Sequence, residues 1–221
     1  MNLAGLGVLA VAAGFAIGSI PFGVIVARAF YRCDIRAEGS GNIGAANALR
    51  TLGKKGAAGV LMLDALKGAI PVAVLTHTGA PAAIAALGGA AAVLGHCYSP
   101  LLRGHGGKGV ATSYGAIWAL SWPAGVAFTL IWLATLIAVG YASVASMLAS
   151  ALMPFALWFM LGRAGLVYGI ASALLIVYKH RENLARLRAG TENPLSFGRT
   201  RTTPTDPSGR RTAPQTRRKA R

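Results

Sequence analysis

The chain of 221 residues is 54% hydrophobic and only 13% charged, yet it carries a formal net charge of +16. A mean hydropathy of +0.54 and a charged fraction about half the ~25% of soluble domains exclude an ordinary water-soluble globular protein. The excess of positive charge invites a nucleic-acid reading, so its location decides its meaning.

At ~20 apolar residues per helical span, the sequence predicts spans at 3–27, 57–77, 82–102, 110–122, 124–140, 143–161 and 164–179. This is an all-α integral membrane protein of about seven transmembrane helices with glycine-rich cytoplasmic loops. The first span has two readings. Ala12-Ala13-Gly14 offers small residues for signal cleavage, but Met1-Asn2 carries no Lys or Arg and the cations follow the apolar run, which favours a retained helix. Ser19, Pro21 and Gly23 near its end read as a kink with close helix packing.

The first loop carries Gly39-Ser40-Gly41-Asn42-Ile43-Gly44-Ala45-Ala46-Asn47 and then Arg50. Glycine lets backbone N–H groups turn toward an anion, and Ser, Asn and Arg add side-chain donors that suit phosphate oxygens. The second span holds Asp64 and Lys67, three apart and on one helical face. Charge inside a bilayer costs several kcal/mol unless paired or hydrated. Two readings stand: a structural pair joining helices, or Lys67 reaching the anion site with Asp64 orienting it.

The third loop contains Arg103-Gly104-His105-Gly106-Gly107-Lys108-Gly109, just before the fourth span. That span is too short to cross ~30 Å of hydrocarbon at 1.5 Å per residue. It is predicted as a partial helix or one continuing through Trp122-Pro123, with its N-terminus facing whatever the glycine loop binds. Ser143 and Ser146, at the start of the sixth span, read as small-residue contacts, and Ser143 equally as a phosphate donor. His180-Arg181-Glu182-Asn183 follows the last span.

With seven spans, every Lys and Arg except Arg163 and the intramembrane Lys67 falls on one side. The positive-inside rule then places the N-terminus outside and the C-terminus in the cytoplasm. Cys33 and Cys97 map to that edge, where disulfides rarely persist. Residues 199–221 carry eight Lys/Arg and one Asp among Pro, Thr, Ser and Gly. Such a segment does not bury enough apolar surface to fold, and anionic headgroups suffice as its partner. The expected organisation is a membrane-embedded domain over 1–196 and a disordered basic cytoplasmic tail over 197–221, with no nucleic-acid partner.

Several chemistries lack their residues. Gly39-x-Gly41-x-x-Gly44 and Gly104-x-Gly106-x-x-Gly109 match a dinucleotide pattern but follow no strand of a βαβ unit. Gly109 stands after Lys108 where a Walker motif needs Ser or Thr. The scattered His77, His96, His105 and His180 make no zinc spacing, so neither metal nor other cofactor is implied. The residues five after each histidine are Ala82, Leu101, Val110 and Ala185, so the His-x4-Asp dyad of another acyltransferase class is absent. A transporter would place its polar motifs near mid-membrane, and a CDP-alcohol phosphotransferase needs an aspartate set; Asp34, Asp64 and Asp206 are too few and too dispersed.

Taken together and in order, Gly18-Ser19-Ile20-Pro21-Phe22-Gly23, Asp34-Ile35-Arg36, the Gly39–Arg50 segment, Asp64 with Lys67-Gly68, Gly95-His96, Gly106–Thr112 and His180–Glu192 resemble the bacterial PlsY-type glycerol-3-phosphate acyltransferases, over about residues 5 to 195. The resemblance implies transfer of a fatty acyl group from acyl phosphate to the 1-hydroxyl of glycerol 3-phosphate, giving lysophosphatidic acid at the cytoplasmic face of the plasma (inner) membrane. It implies catalytic roles for His180, Lys108 and Asn183, and substrate or phosphate binding by Ser40, Gly41, Asn42, Gly44, Asn47, Arg50, Lys67, His96, Gly106, Gly107, Gly109, Ser143, Arg186 and Glu192. The partners are the two substrates and membrane lipids.

The chain departs from the family pattern at Ala46, where Thr is usual, and at Gly104-His105, where Phe-Lys is common; Arg103 and His105 are candidate replacements for the missing cation. An acyl phosphate is already activated, so holding two phosphates in register suffices without a covalent intermediate. For His180 the roles of phosphate donor, helix anchor and general base stay open.

Overall fold

The computed structural model describes residues 2–195, and the tail expected over 197–221 lies outside them. Every regular element among the described residues is helical: α1 (Leu3–Gly18), α2 (Phe22–Tyr31), α3 (Ala45–Thr51), α4 (Gly53–His77), α5 (Ala82–Cys97), α6 (Val110–Leu120), α7 (Trp122–Val139), α8 (Ala142–Lys179) and α9 (Arg181–Arg188), with single 3-10 turns at Ile35–Ala37 and Pro100–Leu102. Among the described residues five segments are long and apolar enough to cross a bilayer: Leu3–Tyr31, Gly53–His77, Ala82–Leu102, Trp122–Val139 and Ala142–Lys179. The chain is a multi-pass membrane protein.

The difference between five and the expected seven has two physical causes. Within α8, Gly162 has φ 59° and ψ −139°, a conformation open in practice only to glycine. The chain folds back there, so that a Cβ at Gly165 would stand 2.2 Å from the Leu157 carbonyl oxygen and one at Gly169 would stand 2.6 Å from Pro154 Cα. The halves 142–161 and 163–179 are therefore two antiparallel helices. The other cause is α6, whose 11 residues reach only about 16 Å. As expected from its length, it is a partial helix; Ser121 breaks it, and α7 starts afresh with Pro123 in its first turn.

Helical hairpins position the site. In α4–α5, Leu75 packs at Gly88 and Val72 at Gly89, while Asp64 meets His96. In α6–α7, Trp118 packs at Gly125 and Tyr114 lies 5.5 Å from Phe128 between ring centroids. Together with the folded α8, each hairpin begins and ends on the same side. Consequently the first loop, the Gly106–Gly109 loop, the start of α8 and its end all converge there.

Close backbone approach, not apolar bulk, sets the spacing of the helices. With lipid tails as apolar as Leu, small residues let helices associate through van der Waals contact. Where α4 crosses α6, a Cβ at Gly115 would stand 1.9 Å from the Ala65 carbonyl oxygen, whereas one at Gly59 meets nothing within 4 Å. Gly115→Ala is expected to lower the thermal unfolding midpoint in detergent by an amount matching about 1–3 kcal/mol of overpacking. Gly59→Ala in the same assay should leave the midpoint within error.

Candidate active site

Asn47 organises the first loop. Its amide nitrogen donates to the carbonyls of Ile35 (3.0 Å), Glu38 (3.1 Å) and Asn42 (2.8 Å), and its Oδ1 accepts from Ser40 N at 2.8 Å. Its two amide hydrogens are shared among three loop carbonyls, so as a donor it is committed to shaping the loop, although it also lines the adjoining cavity. Asn42 Oδ1 accepts from Gly44 N at 2.9 Å, which opens α3. Gly41 needs its positive φ of 72°, whereas Gly44 has an ordinary φ of −83° and its importance is space: a Cβ there would lie 3.1 Å from Asn42 Oδ1. Nearby, Asp34 pairs with Arg36 (2.6 Å) and Arg28 (3.1 Å), and the Arg36 side chain and N–H hold its carboxyl below the usual carboxylate range.

These elements surround a cavity of about 340 Å³ with two chemically distinct parts. The polar part is lined by Ser40, Asn42, Gly44, Arg50, Lys108, Gly109, His180, Asn183, Arg186 and Glu192. Glu192 sits at its centre. Its Oε1 accepts from Ser143 Oγ (2.8 Å) and Asn183 Nδ2 (2.5 Å), and its Oε2 accepts from Arg186 Nε (2.7 Å). Burial pushes the carboxyl pKa up, but hydrogen bonds from Asn183, Arg186 and Ser143 outweigh it and hold the pKa down. Lys108 Nζ donates to Asn183 Oδ1, and Arg50 donates to the Asn193 carbonyl at 3.0 Å.

Burial, with Arg186 adding repulsion, lowers the Lys108 pKa to about 8. The same desolvation, reinforced by the Lys108 charge, takes His180 down to about 4, so its imidazole is neutral at pH 7. Its Nδ1 lies 2.7 Å from the Ile176 carbonyl. A carbonyl only accepts, so Nδ1 carries the proton and Nε2 holds a free lone pair.

The apolar part runs along Leu61, Val110, Tyr114, Phe128, Trp132 and Leu133. Two of its aromatics are pinned by hydrogen bonds: Trp132 Nε1 donates to Ser146 Oγ at 3.0 Å, and Thr129 Oγ1 donates to the Tyr114 hydroxyl at 3.2 Å. This arm was missed in the sequence, where its residues read as ordinary span. The available signal was a set of polar tips, Tyr114, Thr129, Trp132 and Ser146, inside otherwise apolar helices.

Not every candidate reaches the cavity. Lys67 is buried against Asp64 (2.8 Å) and donates to the Ile20 carbonyl at 2.7 Å; the cavity touches Asp64 and His96 but not Lys67. Of the two readings of the Asp64–Lys67 pair, the helix-joining one matches this geometry. Gly106 and Gly107 pack on His96 rather than lining the cavity: added Cβ atoms would lie 2.0 Å from its carbonyl oxygen and 2.1 Å from its Nε2. Neither Gly41, Arg103 nor His105 lines it, whereas Ala46 does. Among the described residues, no three His, Cys, Asp or Glu side chains gather as a metal-holding group.

The family profile described as glycerol-3-phosphate acyltransferase matches residues 8–190. A glycerol-3-phosphate acyltransferase of Bradyrhizobium sp. is 47% identical over 184 residues, covering 82% of this chain and 91% of that protein. One from Dinoroseobacter shibae is 44% identical over 180 residues, covering 81% and 88%. The crystal structure of PlsY, an integral membrane glycerol 3-phosphate acyltransferase, in its glycerol 3-phosphate form superposes with a TM-score of 0.82 at 35% identity, covering 86% of this chain and 96% of that one. Its lysophosphatidic acid form gives 0.79 at 34% identity over the same shares.

Asn47→Ala removes all four loop hydrogen bonds at once, each worth about 1 kcal/mol and more where a buried partner is orphaned. Amide hydrogen exchange over residues 38–47 should accelerate at least tenfold, with helices α4 and α5 unchanged.

Proposed function

This chain belongs to the glycerol-3-phosphate acyltransferase family, and from that premise we propose that it transfers a fatty acyl group from acyl phosphate to the 1-hydroxyl of sn-glycerol 3-phosphate, releasing lysophosphatidic acid and phosphate. The observation that carries this reading is a single cavity joining three cations, Arg50, Lys108 and Arg186, to an arm walled by Tyr114, Phe128 and Trp132. Two phosphates need the first part and a fatty chain needs the second. The border between them is Lys108-Gly109-Val110, where the N-terminus of α6 meets the cavity.

In this reading Ser40, Asn42, Arg50 and Arg186 hold the acceptor phosphate, while Lys108 and the α6 N-terminus hold the acyl phosphate with its chain along the arm. Glu192 orients Ser143, Asn183 and Arg186, and Asn183 in turn fixes the Lys108 ammonium. The glycerol hydroxyl donates to His180 Nε2, the one ring nitrogen with a lone pair. Its oxygen bonds to the acyl carbonyl carbon, the carbon–oxygen bond to phosphate breaks, and phosphate departs with the electron pair. The hydroxyl proton passes through Nε2 to the leaving phosphate, and Lys108 stabilises the charge that develops. Holding both reactants in contact supplies much of the rate. By the positive-inside rule this mouth faces the cytoplasm of the inner membrane, with the N-terminus outside.

Labelled acyl phosphate and glycerol 3-phosphate, incubated with purified protein, should yield labelled lysophosphatidic acid; a preference for acyl-CoA or acyl carrier protein as donor would overturn the proposal. The pH dependence of kcat/KM should be bell-shaped. The fall at low pH tracks protonation of His180 near 4, and the fall at high pH tracks loss of the Lys108 charge near 8. His180→Gln should lose about 10²-fold in kcat and the acid limb with it. Lys108→Arg, which stays charged throughout, should remove the basic limb; its low remaining activity reflects a planar fork where a point charge fits.

A further inference from the structure

Asp64, Lys67 and His96 form a cluster beneath the cavity, with side chains 0%, 1% and 3% exposed, and none of them holds substrate in the reaction above. Asp64 Oδ1 lies 2.8 Å from Lys67 Nζ and 3.6 Å from His96 Nδ1. Lys67 also donates to the Ile20 carbonyl at the break between α1 and α2, so joining helices is accounted for by the Asp64–Lys67 pair. The remaining contact of the carboxylate is His96. That residue touches the Gly106-Gly107 turn twice: its carbonyl accepts from Gly107 N at 3.0 Å, and its ring lies where a Gly107 Cβ would be, 2.1 Å from Nε2. The next residue is Lys108.

We propose that Asp64 is a positioning residue for acyl transfer: it orients the His96 ring, the ring seats the Gly106-Gly107 turn, and the turn sets where the Lys108 ammonium stands in the cavity. The physical basis is that an imidazole in a dry interior has few partners to choose from. Asp64 Oδ1 is shared between Lys67 Nζ and His96 Nδ1, whereas His96 Nδ1 has no hydrogen-bond partner of good geometry, so the carboxylate is the polar group that biases the ring. A Gly-Gly turn has no side chains of its own with which to fix its position, and it takes its place from the surface beneath it.

The proposal rests on the reading of Lys108 as the cation at the acyl phosphate, and the test separates the two. Full-length variants are purified in detergent and three quantities are read: the thermal midpoint, kcat and KM for glycerol 3-phosphate, and the rate at which an amine-reactive reagent labels Lys108, with exposed Lys54 and Lys55 as internal standards. Because Asp64→Asn leaves Lys67 unpaired, Asp64→Asn with Lys67→Met is made beside it. The double variant should remain folded with a midpoint lowered by loss of the Lys67–Ile20 hydrogen bond, lose at least about tenfold in kcat with KM changed much less, and label Lys108 at an altered rate relative to the standards. Native kcat and native labelling in that folded variant would overturn the proposal.

His96→Ala removes the ring itself and should lose kcat to a similar extent with KM changed much less, and combining it with the double variant should add little further loss. Fully additive losses, with all the proteins folded, would also overturn it. Should Lys108→Ala turn over normally, the reading of Lys108 falls, while the altered labelling in the double variant still reports that Asp64 sets the lysine's position.

Discussion

A bilayer offers no water to a backbone carbonyl that a helix end has exposed, so each break in a spanning helix has to find a donor on a neighbour. At the cavity end of this protein those donors come from polar and charged side chains and from one loop N–H. The kink before Pro21 frees the carbonyls of Ser19 and Ile20, which accept from Ser99 Oγ at 2.6 Å and Lys67 Nζ at 2.7 Å. The end of α5 frees those of His96 and Cys97, which accept from Gly107 N at 3.0 Å and Lys179 Nζ at 3.1 Å. The end of α8 offers Ile176, which accepts from the His180 ring. Satisfying the broken helices thus builds the floor and walls of the site.

One consequence is chemical. Because His180 commits Nδ1 to the backbone, its other nitrogen has a defined role as acceptor, and burial beside Lys108 keeps the ring neutral. A histidine exposed on a loop would have neither property. Lys108 is held in a similar way, by Asn183, which is itself held by Glu192. Three cations line one cavity, and Glu192 pairs with Arg186 directly and holds Lys108 through Asn183.

The sequence was most legible where a residue's chemistry is independent of its neighbours. Apolar runs announced the spans, and Asn42, Lys108 and Arg50 were picked out through residue type alone and line the cavity. It was least legible where role depends on what lies opposite. Asn47 looked like a phosphate donor, but its amide hydrogens are committed to loop carbonyls, although the residue lines the cavity. Gly106 and Gly107 looked like anion-binding backbone but are the thin places on which His96 rests. Lys67 had two readings because a lysine three residues from an aspartate serves a partner helix or a ligand equally well.

By itself the sequence determined an all-α membrane protein, the side on which its cations collect, and the three polar segments that meet at the cavity, because hydropathy and charge act through composition over a window. Only the tertiary structure decided that Gly162 folds one long apolar segment into two helices, that α6, α7 and α8 leave an aromatic arm open beside Lys108, and which nitrogen of His180 carries a lone pair. Those outcomes depend on distances of a few ångströms between residues far apart in the chain, such as Tyr114 with Thr129 or Ser143 with Glu192. Local pattern sets which surfaces must be buried, and packing sets what they are buried against.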